Sequence, residues 1–154
     1  MRKLLLTVLA LVVLSSSCLA ANWEWAGSDE KIGMFYDVNS ITFSISPNKQ
    51  IVSRDRVWLW VKYVFDESFA EQVIKNRNVK FQICKVGYDF SQNKTFESKI
   101  ITYHKDGHVL KEEPGRRAWV DIYPESVSDC IKSAVEKYVR AHEEEIEQRT
   151  RGTR

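Results

Sequence analysis

The run RVWLWVKYVF, Arg56 to Phe65, constrains the fold more than any other stretch. Val57, Leu59, Val61, Tyr63 and Phe65 alternate with Trp58, Trp60, Lys62 and Val64. An extended chain therefore puts a largely apolar set on each face. Such a strand belongs in the middle of a sheet whose second face is partly covered. β-Branched and aromatic residues pack well there, which makes Trp58 and Trp60 core residues. Tryptophans lining a ligand groove would give the same pattern.

Other segments alternate in the same way. Trp23 and Trp25 mark a half-buried strand near the start, Met34 to Val38 a second, and Ile41, Phe43 and Ile45 a third. Val79, Phe81 and Ile83 hold one phase, and Cys84, Val86, Tyr88 and Phe90 the opposite one. The change predicts either a bulge near Ile83 and Cys84 or a strand buried on both sides. Ser91 to Thr95 reads as a hairpin turn, Phe96 to His104 as a further strand, and Asp106-Gly107 as its turn. Asp66 to Asn78 fits a short helix or a long excursion, and Glu112 to Arg117 a polar connection before the short apolar WVDIY.

From Ser126 the period changes. Val127, Ile131, Ala134, Tyr138 and Ala141 recur at helical spacing, Ser126 and Asp129 have the spacing of a capping box, and Cys130 borders the apolar stripe. The fold class expected is α+β, an antiparallel sheet of about six strands packed against a C-terminal helix. Residues 143–154 are charge-rich with few apolar anchors and read as a fraying extension.

The N-terminus carries a different signal. Arg2 and Lys3 precede an apolar run from Leu4 to Leu14 that ends in LSSSCLAAN, the layout of a secretory signal peptide. Cleavage after Ala20 would discard Cys18 and release a periplasmic or secreted protein. A lipoprotein signal would instead put lipid on Cys18 and anchor the chain at the outer membrane, and a retained leader would itself be an anchor. Residues 1–20 are thus read as a leader and 21–142 as one domain, about 130 residues without the leader being enough for a single core. Export would carry Cys84 and Cys130 into an oxidising compartment, where a structural disulfide is the ordinary fate of such a pair. Closing the long loop between them would be worth about 4 kcal/mol. They do not form C-x-x-C, so a redox-active pair is not expected.

With 23 basic and 21 acidic residues, no global field favours nucleic acid or an acidic substrate. Lys105, Lys111, Arg116 and Arg117 form a local basic cluster, a candidate partner-binding surface, interrupted by Asp106, Glu112 and Glu113. It matches no nucleic-acid module, and a solvated loop has the same composition. His104 and His108 flank the presumed turn and His142 lies in the polar end of the helix. Without H-E-x-x-H or another ligand cluster, no metal and no cofactor are expected. Ser126 serves better as a helix cap than as a nucleophile, and no carboxylate pair has a context for acid and base roles. No catalytic residue is assigned, and an enzyme is not expected.

One ordered set is more specific. Trp23, Tyr36-Asp37, Ser40-Ile41, Val57-Trp58, Val61-Lys62, Cys84, Tyr88, Tyr103, Trp119, Pro124-Glu125-Ser126 and Cys130 together resemble the surface-adhesin protein E family over Trp23 to about Val135. The resemblance implies a small exported antiparallel-sheet domain with a C-terminal helix and a disulfide between Cys84 and Cys130. It also implies a noncatalytic protein-binding role, in its sharpest form adhesion to host extracellular-matrix or serum proteins. The alternative is a periplasmic or envelope interaction protein without a host ligand. Neither oligomeric state nor ligand identity follows.

Overall fold

The computed structural model describes residues 20–47 and 51–152. The expected leader, apart from Ala20, and the lipidation candidate Cys18 lie outside the described residues. The strands are β1 (Trp23–Ser28), β2 (Ile32–Asp37), β3 (Thr42–Ile45), β4 (Val52–Phe65), β5 (Val79–Asp89), β6 (Lys94–His104), β7 (Val109–Pro114) and β8 (Trp119–Asp121). The helices are α1 (Glu67–Gln72), α2 (Val127–Ala141) and α3 (Glu143–Gly152). All strand pairs are antiparallel. They form one sheet in the order β1-β2-β4-β5-β6-β7, with β3 beside β4 and β8 beside β6.

The α+β class matches the expectation, while the strand count is eight rather than about six. The additional strands are ones that hydrophobic alternation cannot signal. β7 runs through the stretch read as a polar connection, is exposed along most of its length, and is held by its ladder to β6 and by the Lys99–Glu112 ion pair at 2.6 Å. β8 is only three residues long.

β4 is central, as RVWLWVKYVF predicts, and pairs along its length with β5 on one side and with β2 and β3 on the other. Its Val57, Leu59 and Val61 are fully buried in one cluster with Ile131, Val135, Val139 and Ile146 of the helices. β5 accounts for its phase change by being apolar on both sides. Phe81 and Ile83 share a face with Val64 and Lys62 of β4, and Cys84, Val86 and Tyr88 share the buried face with Val61, Leu59 and Val57. The register of β5 against β4 is unbroken there; the irregularities fall against β6, between Val79 and Phe81 and between Lys85 and Val86.

The ambiguous segment after β4 begins with α1, which starts where Asp66 accepts the Phe69 amide at 2.7 Å. α2 begins as its capping residues predict: Ser126 Oγ accepts the Asp129 amide at 3.2 Å, and the Asp129 carboxylate accepts from the Glu125 amide at 3.1 Å.

Two expectations are corrected. Residues 143–152 do not fray. They form α3, which docks on β3 with Ile146 fully buried, and Thr150 Oγ1 accepts the buried Phe43 amide at 2.9 Å. Arg54 of β4 reaches Glu143 and Glu147 at 3.2 and 2.8 Å, so even the polar face has partners on the sheet. Ile146 and Thr150, one turn apart, are enough apolar and polar purchase to seat a helix that is otherwise hydrophilic.

The second correction concerns Cys84 and Cys130, which are free thiols. Cys84 is buried on β5, and burial pushes its thiol up to about 12, with a smaller push from Glu97. Cys130 is half-buried on α2 and turns its sulfur toward β1, 3.6 Å from the Ala26 carbonyl oxygen. Gly27 makes room for it, since a Cβ there would lie 2.5 Å from that sulfur.

Candidate functional site

The helices lie on the buried face, and the opposite face of the sheet is built from the alternate residues of the same strands. From β4 it takes Arg56, Trp58, Trp60 and Lys62, and from β5 Phe81, Ile83, Lys85 and Gly87. β6 and β8 supply Tyr103, Phe96 and Trp119, and β1 and β2 supply Trp25 and Phe35. Trp58 and Trp60 are therefore not beneath the helices. Both are partly buried on this outer face.

The face is organised by rings and cations. Trp58, Phe96 and Trp119 form an edge-to-face and tilted triangle with centroids 5.5 to 6.0 Å apart. They pack over Gly87, where a Cβ would lie 3.0 Å from Trp58 and 3.1 Å from Trp119; the missing side chain is what lets the indoles meet the sheet. Phe81 stacks on Tyr103 at 4.5 Å and Trp25 meets Phe35 edge-on at 5.0 Å. Lys62 lies 4.6 Å from the Phe81 ring and 5.8 Å from that of Trp23, Lys85 lies 5.5 Å from Trp60, and Arg56 lies 5.1 Å from Trp119.

The cations differ in how they are held. Arg56 is fixed by Asp89, its Nη2 and Nε at 2.6 and 3.1 Å from one carboxylate oxygen. Burial alone would raise the Asp89 carboxyl, but hydrogen bonds from Arg56, Ser91 and the Gln92 amide outweigh it and hold it below the usual carboxylate range. Among the described residues Lys85 has no such carboxylate. Burial among the rings lowers its ammonium from the usual lysine value, only partly opposed by the charge of Asp37. At the margin, Trp25 is 56% exposed.

The basic residues grouped by the sequence have different partners. Lys105 is paired with Glu67 of α1, and Lys111 with Glu113 at 2.7 Å. Arg116 lines two adjoining grooves of about 510 and 150 Å³ with Thr95, Val120 and Ser128, at the start of α2. Arg117, whose backbone sits at φ 53°, lies instead with Lys99, Glu112 and Pro114. Contiguous arginines thus point to different places. The outer-face cations, six residues apart in β4 at Arg56 and Lys62 and on a different strand at Lys85, come together only in the sheet. The signal for them was already present in Arg56, Trp58, Trp60 and Lys62: a face with a cation at each end is not an interior face.

The turn between β6 and β7 also departs from the sequence reading. His104 and His108, read as flanking it without a ligand cluster, are its closing pair, with the His104 amide donating to the His108 carbonyl at 2.9 Å. Their rings stack with centroids 4.6 Å apart, and Asp106 lies between them. His142 is elsewhere, stacked on Tyr138 at 4.1 Å. Ser126 is engaged as a cap, as expected.

Fold and site together define a small antiparallel-sheet domain with helices closing one face and an aromatic and cationic second face. Among the described residues no helix is long and apolar enough to cross a membrane. No family model, curated protein or solved structure matches the chain.

Proposed function

We propose that this chain is a noncatalytic, exported protein-binding domain and that the outer face of its sheet is the contact surface. The observation that carries the reading is the set of Lys62, Lys85 and Arg56 over the rings of Phe81, Trp23, Trp60 and Trp119, on the face opposite the helices among the described residues. Tryptophan, tyrosine and arginine are the residues that dominate binding energy at protein interfaces, and ordered rings lose little entropy on contact. The cations select a partner surface that offers carboxylates beside apolar groups.

The sharpest form of the proposal is adhesin-like binding of host extracellular-matrix or serum proteins. It is supported by the resemblance carried by the ordered set from Trp23 to Cys130 and by the agreement of the helix-covered antiparallel sheet with the fold that resemblance implies. A partner in the cell envelope is the other reading of the same surface.

The test is binding of the mature chain, immobilised through an end, to a panel of matrix and serum proteins and to solubilised envelope proteins of the producing cell. Trp25→Ala and Lys62→Glu should each weaken binding by about 1–2 kcal/mol while leaving thermal unfolding nearly unchanged. Replacing Lys105, Lys111, Arg116 and Arg117 should do little. Binding that survives the outer-face changes but is lost with the loop cations would overturn the assignment. Failure of every matrix and serum protein alongside a reproducible envelope partner would remove the adhesin form.

A further inference from the structure

We propose that the β6–β7 turn is a transition-metal site, with His104, Asp106 and His108 as ligands for a cation of the nickel, copper and zinc group. The three side chains each offer a ligand atom, and these atoms lie within 4.8 Å of one another. Two imidazoles and one carboxylate on a solvent-facing turn match the borderline cations of that group and leave the remaining coordination positions to water.

The backbone brings the ligands together. Lys105, Asp106 and Gly107 form the loop, with the Gly107 amide on the His104 carbonyl at 3.0 Å and Gly107 at φ +95°, a conformation suited to glycine. The histidines that close the hairpin are consequently side by side on its end, and Asp106 folds back between them. Its Oδ1 is 3.1 Å from His104 Nδ1 and 2.5 Å from His108 Nδ1, and it accepts the His108 amide at 3.1 Å.

Two features favour a cation over a plain ion pair. His104 Nδ1 lies 3.3 Å from the Asp106 amide nitrogen and 3.1 Å from the Asp106 carboxylate oxygen, so two ligand atoms already face one another across a short gap. Ligand atoms around a tetrahedral metal with bonds of about 2.0–2.1 Å are about 3.3 Å apart, so this pair is close to the edge of such a site, and His108 needs to open by less than about 1 Å. The turn is exposed, with side-chain exposures of 60% for Asp106 and 58% for His108, so nothing packed resists that adjustment. Its role would be to fasten the end of the hairpin beside Lys105 and Glu67.

The test is calorimetric titration of the full mature chain with zinc chloride and, separately, copper chloride in a weakly coordinating buffer, together with nitrogen-15 spectra of the histidine rings. The expected result is one cation per chain, copper tighter than zinc, and shifts of the ring nitrogens of His104 and His108 with His142 unmoved. His104→Ala and His108→Ala should each cost at least the roughly 10- to 100-fold in affinity that loss of even an outer-sphere partner costs, Asp106→Asn should weaken binding, and His142→Ala should not. Circular dichroism verifies that the variants are folded. Absence of saturable binding, or binding equally strong in His104→Ala and His108→Ala, overturns the site.

Discussion

On the inner face of β4, Val57, Leu59 and Val61 are fully buried in one cluster with residues of α2 and α3. On the outer face, one residue along each time, Trp58, Trp60 and Lys62 remain partly exposed. Both faces are apolar in composition, yet they do different work. The inner residues are aliphatic, without polar atoms, and shaped to be covered. The outer ones carry an indole N–H or an ammonium that must reach water or a partner, as Trp58 Nε1 reaches Ser44 Oγ at 2.9 Å. A strand buried on one side and sticky on the other is thus encoded by what kind of apolar residue alternates, rather than by whether it is apolar.

The difference should appear most sharply in stability. Leu59→Ala should cost about 2–5 kcal/mol in urea unfolding, the range for opening a cavity in a core, whereas Trp60→Ala, which gives up a half-exposed ring and its contact with Lys85, should cost clearly less. Equal losses would mean that the outer face is core after all. Next in size is Thr150→Val, which keeps the shape of the side chain but strands the buried Phe43 amide; about 1–3 kcal/mol should be lost, and an unchanged unfolding midpoint would count against the docking of α3.

On the outer side acid should act through Asp89. The folded-state carboxyl of Asp89 is held below its ordinary value, so its stabilisation is complete above about pH 4–5 and is lost as pH falls through the folded value. Unfolding midpoints between about pH 5 and pH 2 should fall more steeply in the native chain than in Asp89→Asn. Matching slopes would remove Asp89 from the account. The smallest effect is kinetic and belongs to the inner side. With its thiol pushed up to about 12, Cys84 should be alkylated far more slowly than Cys130 in the reduced protein, measured by peptide mass after timed iodoacetamide treatment. Faster labelling of Cys84 would contradict its burial.

Much of the sheet was legible because alternation is a local property. RVWLWVKYVF yields the central strand, and the spacing of Val127, Ile131, Ala134 and Tyr138 yields α2 and its start at Ser126. β7 was illegible because an edge strand held by backbone ladders and cross-strand charges needs no apolar residues. α3 was illegible because anchors such as Ile146 and Thr150 have meaning only against β3. The free state of Cys84 and Cys130 depends on where each sulfur points, which spacing does not carry. At the site, the tryptophans and lysines were visible as residues, but the choice between core and surface depended on which face the helices would take. The separate partners of the basic residues were illegible because neighbours in sequence diverge in space, and the pairing of the two histidines because a turn that separates them along the chain joins them across the hairpin.

The bond from Thr150 to the Phe43 amide spans 107 positions and has a consequence for biogenesis. A chain emerging in order, from a ribosome or through a translocation pore, presents β3 early but cannot satisfy that amide, or cover that end of the core, until α3 has come out. Any partly emerged length short of Thr150 therefore leaves the β3 edge accessible to chaperones and proteases, and completion of the fold waits on the release of α3.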